Sequence, residues 1–515
     1  MRAAVLDLGS NSFHVLVADL DGRTITPVLR EREMLHLGRV VAEHGRVPDD
    51  DVARATATVA HLMELARRSG AIETMAVATA ALRDAANGPE VIAALSTAAG
   101  TPIRVLGGLE EARIGYVGVR ASVAVRAEPV LVLDLGGGSL ELATGVGDRV
   151  TWSASTPLGA SAMSAGLGSG ALRKRDRKAL QATVDAALDP LVDIVRAHAV
   201  GTTVAVGGTV RALARVLAAR ASTWLPATVN QFRIRTDDLD ALATELAALD
   251  LDDRVALPGM KERRADHIHV AAIVLARALR RLGMLSFTVS DWGLREGLLL
   301  DAHGVSTPPS AVELRHDEIE RLRTTFVPDD PHPLHVARLA AQLFDGTSTL
   351  HGLGPTDREL LGHAARLHAI GEAIALRRQH FHGAYLVDNA ELRGFSPADT
   401  AMLTTLVRFH RSRGINRTFD AFAALADADR ERVTRLLALL QVADGLDRAH
   451  DQAVTDVRVE LTDDRLLLEL DGHGLHVTTD ELERKTRLFA RTFDREVAVV
   501  DHGHDATRPA VVAVP

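Results

Sequence analysis

Two carboxylates, a hydroxyl and a glycine turn occur together in the stretch LVLDLGGGSLEL at 131–142. Asp134 closes an apolar run, and Glu141 follows after three glycines and Ser139. Because glycine has no Cβ, the N–H groups of such a turn can approach a ligand closely and donate to phosphate oxygens. Paired carboxylates beside a phosphate cradle are what a Mg²⁺-assisted phosphoryl-transfer site requires. By itself, the stretch also fits a glycine hairpin with exposed acids.

The same pattern occurs a second time near the N-terminus, in AVLDLGSNSFHV at 4–15. A shift of 127 positions (134 − 7) places Asp7 on Asp134 and also aligns a glycine and a serine of each turn. Two similar halves that face each other across a cleft hold a phosphate chain in the class of actin, sugar kinases and heat-shock chaperones. The duplication therefore favours the phosphate-site interpretation, with Asp7 and Asp134 on opposite sides of a cleft.

Three further positions have residue types suited to this chemistry, and each has a purely structural alternative. Arg83 follows the end of a predicted strand, where it is either a phosphate-binding fork or an exposed arginine at a helix start. Glu110 and Glu111 lie in the first turn of a predicted helix, where acids also interact favourably with the helix dipole. A third strand–turn–helix at 203–217 presents backbone donors at Gly207 and Gly208.

The elements that must position these residues alternate between strands and helices up to about residue 304, which predicts α/β lobes. Residues 258–279 are predicted to form one helix, and Arg295 and Glu296 lie on another, either as a salt-bridged pair or as ligand contacts. The composition STPPS predicts a linker at 306–310, after which the pattern becomes all-helical and then changes to strands and one helix. The predicted domains are 1–124, 125–305, 311–452 and 453–515.

Composition limits the classes of function. The chain of 515 residues is long enough for two to four domains, and without cysteine it has neither disulfides nor a thiolate nucleophile. Arginine supplies 55 of the 59 basic residues, yet the net charge is −9, which disfavours nucleic acid as a partner. No signal peptide and no apolar run of ~18 residues is recognisable. We therefore expect a cytoplasmic protein without a membrane span.

Seven segments together resemble the exopolyphosphatase and guanosine pentaphosphate phosphohydrolase (Ppx/GppA) family, in its long form with a C-terminal helical domain. They are LDLGSNSFHV at 6–15, VATAALRDAANG at 77–88, GGLEEARIGYVGV at 107–119, LVLDLGGGSLEL at 131–142, VGGTVRALAR at 206–215, ERRADHI at 262–268 and VSDWGLREGLL at 289–299. The resemblance implies an α/β fold class with two actin-like (ribonuclease H-like) lobes, an all-α HD-like domain and a small α/β cap.

The resemblance also implies an activity and the residues that perform it. It implies Mg²⁺-dependent release of terminal phosphate, with Mn²⁺ as a substitute, room for a monovalent cation, and a homodimer. It assigns the general base to Glu111, and further catalytic and metal-binding roles to Asp134 and Glu141, joined at the metal by Asp7. It assigns phosphate contacts to Ser10, Asn11, Arg83, Gly136, Gly137, Gly138, Ser139 and Gly208.

The helical domain contains several potential metal ligands: His335, His363, His368, His380, His382, His410 and Asp444. HD-type phosphohydrolases need an adjacent His-Asp pair, and here the pair is His368 and Ala369. We therefore predict a degenerate, non-catalytic helical domain. The basic run RFHRSRGINR at 408–417 is either a solvated surface or a guide for a long polyanion.

Three functions remain open at this stage. The first is an exopolyphosphatase, with water activated by Glu111 attacking the terminal phosphorus. The second is a guanosine pentaphosphate hydrolase that uses the same site, which no sequence feature separates from the first. The third is a catalytically silent phosphate- or nucleotide-sensing protein, and the presence of Glu111, Asp134 and Glu141 argues against it. An actin-like ATPase or sugar kinase is disfavoured by the hydrolytic glutamate.

Overall fold

The computed structural model describes residues 1–22, 24–125, 128–222, 224–305, 309–462, 464–473, 479–501 and 510–514. The chain divides into two compact units, Met1–Ala221 with Val229–Leu314, and Ser222–Thr228 with Arg315–Pro515. Most of the predicted linker at 306–310 lies outside the described residues. The finer division into four domains stays a prediction.

The N-terminal half of the first unit is built on a five-stranded sheet. Its strands are β1 (Arg2–Leu8), β2 (Ser12–Asp21), β3 (Thr24–Met34), β4 (Glu73–Ala78) and β5 (Ile103–Val105). Its helices are α1 (Leu37–His44), α2 (Asp49–Arg68), α3 (Ala80–Asp84), α4 (Gly88–Ala99) and α5 (Gly108–Arg120). The strand order is β3-β2-β1-β4-β5, with β1, β4 and β5 parallel. Residues 3–6 of β1 are fully buried, as expected for a strand covered on both faces.

The C-terminal half of the first unit repeats this plan. Its strands are β6 (Val130–Leu135), β7 (Leu140–Val146), β8 (Arg149–Thr156), β9 (Thr202–Val206), β10 (Arg233–Arg235) and β11 (Ser286–Ser290). Its helices are α6 (Ala160–Met163), α7 (Lys174–Ala197), α8 (Gly208–Ala221), α9 (Thr236–Ala248), α10 (Leu251–Val255), α11 (Glu262–Ala265), α12 (Ile268–Arg281) and α13 (Leu294–Ala302). The order β10-β11-β9-β6-β7-β8 contains the five-strand order of the first sheet, with β10 added at one edge.

The duplicated motif forms equivalent hairpins in the two sheets. Asp7 is the next-to-last residue of β1 and pairs with His14 on β2. Asp134 has the same position in β6 and pairs with Glu141 on β7. The 127-residue shift therefore relates two hairpins of the same register, and His14 occupies the position that Glu141 has in the second copy. This observation agrees with two actin-like halves.

The single helix predicted over 258–279 is wrong. Helix α11 is one turn long, α12 begins only at Ile268, and residues 258–261 are not helical. Gly259 follows a proline and has φ +78°, a left-handed conformation that a continuing α-helix cannot contain. Because of this interruption, Arg264 lies on the short helix α11, separate from α12. Its guanidinium group lies beside the N-terminus of α8, since a Cβ on Gly208 would be 2.3 Å from an Arg264 Nη atom.

The second unit is helical, with a small sheet near its C-terminal end. Its helices are α14 (Ala311–Phe326), whose first turn belongs to the first unit, α15 (His332–Gly346), α16 (Ser348–His351), α17 (Pro355–Leu367), α18 (Gln379–Asn389), α19 (Pro397–Phe409), α20 (Asp420–Ala423), α21 (Asp427–Leu446) and α22 (Thr479–Phe493), with a 3-10 helix at Ile370–Ala373. The sheet order is β12 (Val454–Leu461), β13 (Arg465–Gly472), β14 (Glu496–Asp501) and β15 (Ala510–Val514).

The segment Ser222–Thr228 belongs to the second unit, although its neighbours in the chain belong to the first. Trp224 packs against the helical core, and its indole Nε1 donates to Asp388 Oδ1 at 2.9 Å. In the described part of the chain, no helix is both long enough and apolar enough to cross a membrane.

Candidate active site

The turns of the two hairpins meet at the bottom of a cleft in the first unit. A Cβ on Gly138 would lie 2.7 Å from Ser10 Oγ, and one on Gly137 would lie 3.1 Å from Ser10 Cβ. Side chains at these glycines would therefore push the two halves apart. The Ser10 hydroxyl also accepts a hydrogen bond from the Ala81 amide at 3.1 Å, which fixes the first turn against α3.

The turn amides are available to a ligand. The carbonyls of Gly136 and Gly137 accept hydrogen bonds from the first residues of α6, which holds the second turn in place. Among the described residues, no acceptor is found for the amides of Ser10, Asn11, Gly137 and Gly138. Four amides at two adjoining turns form a cradle for phosphate oxygens.

The cleft has a cavity volume of about 170 Å³ and is lined by polar groups from both halves. Asp7 and Asp134 are half-buried in its wall at the ends of equivalent strands. The wall also includes Ser10, Asn11, Glu111, Gly136, Gly137, Gly138, Ser139 and Gly208, all predicted from the sequence. The structure thus brings Asp7, Asp134 and these eight residues together in one cleft.

Two predicted residues lie behind this wall. Glu141 is only 2% exposed, and its carboxylate accepts a hydrogen bond from Ser155 Oγ at 2.9 Å. Arg83 donates to the Leu106 carbonyl at 3.0 Å, and its Nη1 lies 3.5 Å from Glu111 Oε2. In this structure Arg83 therefore contacts the candidate base, and its predicted role as a phosphate contact remains a prediction.

The start of α5 positions Glu111. A Cβ on Gly108 would lie 2.5 Å from Ser155 Cβ, so the first turn of α5 packs directly on β8. This packing brings Glu111 close to Glu141, which is itself held by Ser155. The Glu111 side chain is 12% exposed, and its Oε2 atom is buried without a hydrogen-bond partner among the described residues.

Burial and mutual repulsion raise the pKa values of all four carboxyl groups. The pKa is about 6 for Asp7, where burial is the main cause, and about 6 for Asp134, where burial and the charge of Asp7 act together. Burial, followed by the charge of Asp134, raises the pKa of Glu141 to about 7. Burial and the charges of the other three acids raise the pKa of Glu111 to about 9. A bound cation would therefore be stabilised by this cluster of carboxyl groups and would lower their pKa values.

The donor set fits a hard divalent cation. Carboxylate oxygens are the ligands that Mg²⁺ and Mn²⁺ prefer, and Glu111 Oε2, which has an ion pair with Arg83 but no hydrogen bond to a described residue, belongs to the same group of acids. Among the described residues, no three of these acids have carboxylate oxygens that all lie within 4.8 Å of one another. A Mg²⁺ ion held by Asp7 and Asp134 would therefore take its remaining ligands from water and from phosphate, as this ion commonly does.

Four arginines line the cleft, of which the sequence offers only Arg295 as a possible ligand contact. Arg32, Arg211, Arg264 and Arg295 all line the cleft. Arg211 donates to the Asp291 carbonyl at 3.0 Å, whereas no described group pairs with the Arg264 side chain. Burial and the nearby charge of Arg211 lower the pKa of Arg264 to about 10. Several guanidinium groups gathered in one cleft favour a polyanionic ligand.

His14 connects one of these arginines to the first hairpin. Arg295 Nη1 lies 3.0 Å from His14 Nδ1, and His14 Nε2 lies 2.7 Å from Ser12 Oγ. Because guanidinium can only donate, Nδ1 is the acceptor and Nε2–H donates to Ser12. Burial and three nearby arginines lower the pKa of His14 well below its ordinary value, so the ring stays neutral.

Comparison with known protein families identifies the family of this chain. Residues 16–304 match the profile of the Ppx/GppA phosphatase family, and residues 314–488 match the profile of domain III of Ppx/GppA phosphatases. The first match alone spans more than half of the chain. The chain belongs to the Ppx/GppA phosphatase family. As a family member it is a phosphatase of the hydrolase class, and its predicted actin-like α/β fold is confirmed.

Solved structures of similar proteins match more than half of the chain. An exopolyphosphatase from Cytophaga hutchinsonii ATCC 33406 is 25% identical with a TM-score of 0.54, over 60% of this family member and 100% of that chain. An exopolyphosphatase-like protein is 27% identical with a TM-score of 0.54, over 58% and 97% of the two chains. The Aquifex aeolicus family member, at 24% identity and TM-score 0.52 over 59% and 98%, shares the fold.

Proposed function

We propose that this protein is an exopolyphosphatase that releases terminal orthophosphate from inorganic polyphosphate. The observation that carries the proposal is a cleft with four turn amides that no described acceptor engages, several arginines, and carboxyl groups crowded in and beside its wall. The amides and arginines suit a chain of phosphates, and the acids suit a divalent cation and a base. The similarity to an exopolyphosphatase from Cytophaga hutchinsonii supports the same substrate class.

Glu111 is the proposed general base. Glu111 lines the cleft, where its carboxylate would accept a proton from water as that water attacks the terminal phosphorus in line. Asp7 and Asp134 are the proposed Mg²⁺ ligands, whereas the predicted role of Glu141 at the metal stays a prediction because its buried carboxyl group does not line the cleft. When bound, Mg²⁺ neutralises negative charge on the transferring phosphoryl group. The charge of bound Mg²⁺ would also lower the pKa of Glu111 and leave it ionised for its role.

The lining favours polyphosphate over guanosine pentaphosphate. Among the described residues of the cleft there is no Phe, Tyr or Trp on which a guanine base could stack. A polyphosphate chain needs only donors and cations, which the cleft supplies in number. Hydrolysis of guanosine pentaphosphate at the same site is the alternative that the experiment must distinguish.

Phosphate release tests the proposal. Long-chain polyphosphate and guanosine pentaphosphate are offered separately, with Mg²⁺ and with a chelator, to the wild type, Glu111→Gln and Glu110→Gln. We expect Mg²⁺-dependent release, faster from polyphosphate, that falls by about 10²–10⁴ in Glu111→Gln. Glu110→Gln is the matched control, because Glu110 lies one residue away and is paired with Arg104 at the surface.

Three results would contradict the proposal. Full turnover by Glu111→Gln would remove the assigned base. Faster release from guanosine pentaphosphate would choose the alternative substrate. Binding of polyphosphate without any release by the wild type would place the protein in the sensing class.

A further inference from the structure

Three potential metal ligands converge inside the second unit. His332 Nε2 lies 3.0 Å from His368 Nε2, and Asp444 Oδ1 lies 3.6 Å from the first nitrogen and 3.4 Å from the second. The three residues are 1%, 1% and 5% exposed. Among the described residues, this is the one group of three or more His, Asp or Glu with ligand atoms so close together. His368 and Asp444 are among the potential metal ligands predicted from the sequence. His332 is not, and the predicted His335 does not belong to this group.

The distances fit one small cation. A tetrahedral Zn²⁺ ion with bonds of 2.0–2.1 Å separates its ligand atoms by about 3.3 Å. The three observed separations lie on either side of that value. The two Nε2 atoms that face each other at 3.0 Å also need a proton or a cation between them, since two lone pairs would repel.

The outer contacts of both rings have the pattern of metal-bound histidines. His332 Nδ1 lies 2.8 Å from Asp447 Oδ2, and His368 Nδ1 lies 2.6 Å from the Ala365 carbonyl. Each Nδ1 therefore donates to an oxygen, which turns the lone pair of Nε2 towards the partner ring. A ring held in this way by a carboxylate or a carbonyl is typical of zinc sites.

Two neighbours complete the surroundings. The His410 ring meets the His368 ring edge-on at 5.1 Å, and its buried Nε2 has no hydrogen-bond partner in the described part of the protein. Lys485 Nζ is paired with Asp444 Oδ2 and lies 3.3 Å from the His410 carbonyl. The Lys485 ammonium group pairs with Asp444 Oδ2, whereas Asp444 Oδ1 lies near the two histidines.

We propose that His332, His368 and Asp444 bind one divalent transition-metal ion of the Zn²⁺ or Co²⁺ type. Two imidazoles and one carboxylate select such ions over Mg²⁺, which prefers oxygen ligands. Because Ala369 follows His368, the site lacks the carboxylate that would bridge two ions, and it holds one. This site is independent of phosphate hydrolysis in the first unit.

Co²⁺ is the probe, since its visible absorption reports nitrogen ligands and low coordination number. Metal-free full-length protein is titrated with Co²⁺ in excess Mg²⁺, which keeps the cleft carboxylates occupied, and Zn²⁺ is then added as a competitor. We expect one equivalent with an intense visible band that Zn²⁺ displaces. His368→Ala and Asp444→Asn should weaken this binding by about 100-fold or more. His316→Ala, an exposed histidine of the same unit, should bind as the wild type does.

A lysine variant keeps the test decisive if the ligand variants fail to fold. Lys485→Met keeps the length of the side chain and removes its positive charge, so Co²⁺ should bind about tenfold more tightly. Circular dichroism confirms the fold of each variant. The proposal is overturned if the wild type and Lys485→Met show no displaceable band, or if His316→Ala weakens binding as much as His368→Ala does.

Discussion

At the scale of single residues, the candidate active site crowds four acidic side chains together. Four carboxyl groups have raised pKa values because each is buried near the others. A folded protein with such groups holds protons that the unfolded chain releases. Its stability is therefore fully present below the ordinary carboxyl pKa values and is lost as the pH rises through the folded values.

This linkage predicts a stability gain in Glu111→Gln when divalent cations are chelated. Because the pKa of Glu111 is about 9 in the folded protein, the wild type should lose stability between about pH 4 and pH 9. At pH 8 the variant should melt about 2–4 °C higher than the wild type, with no difference at pH 4, where this carboxyl group is protonated in both states. Scanning calorimetry across this range measures the effect.

Glu110→Gln is the control for the melting experiment, since Glu110 is at the surface. It should leave the melting temperature unchanged at both pH values. Equal differences at pH 4 and pH 8 in Glu111→Gln would show that charge crowding is not the cause.

At the scale of elements, a close crossing of α5 and α13 sets the position of the base. A Cβ on Gly297 would lie 2.0 Å from the Ile114 carbonyl oxygen, and one on Gly118 would lie 2.1 Å from the Gly293 carbonyl oxygen. Backbone therefore packs on backbone, with glycine required in both helices. The two helices carry Glu111 and Arg295 into the cleft.

Gly297→Ala tests this crossing. Helix propensity alone predicts that alanine stabilises α13 by about 1 kcal/mol. The close contact predicts the opposite: destabilisation by about 1–3 kcal/mol and reduced phosphate release, because α5 must shift. Denaturant unfolding and phosphate release are measured together. Gly168→Ala, where a Cβ meets open space, should affect neither, and a stabilised Gly297→Ala would contradict the crossing.

At the scale of the whole molecule, a protein of net charge −9 must bind a polyanion through local cations. The basic run at 408–417 is only partly available for this. The Arg408 guanidinium packs 3.3 Å from the centre of the Phe381 ring, whereas Arg411 and Arg413 are exposed. Arg411, Arg413 and the likewise exposed Arg417 are the arginines of the run that could contact a long polyphosphate.

The double variant Arg411→Glu with Arg413→Glu is expected to raise KM for long polyphosphate, with a smaller effect on short chains. The reason is that only a long chain extends beyond the cleft, and the effect should shrink at high salt. Arg173→Glu with Arg175→Glu is the matched control, an exposed pair of the same spacing in the first unit. Equal changes in KM for long and short chains would identify the basic run as an ordinary solvated surface.

The two units also differ in the cations that they suit. The first unit gathers oxygen donors and the second gathers imidazoles around one carboxylate. The two proposals therefore predict that Mg²⁺ supports hydrolysis in the first unit, whereas a Zn²⁺-type ion binds in the second unit. The predicted homodimer stays a prediction at this scale.

The sequence by itself determined the features that depend on local chain chemistry. Apolar runs that end in aspartate and continue into glycine turns specify hairpins, and the 127-residue repeat specifies that there are two of them. Candidate phosphate contacts at Ser10, Asn11, Ser139 and Gly208 follow from the resemblance, and the cleft contains all four.

Only the tertiary structure decided which distant side chains meet these turns. Arg32, Arg211 and Arg264 come from elements far apart in the chain, and although two of them lie in segments that resemble the family, their local sequence does not show that they reach one cleft. The break that places Arg264 depends on the backbone at Gly259. His332 rather than His335 reaches the metal cluster because packing selects the buried face of α15. Local chemistry encodes the turns, whereas long-range packing selects their partners.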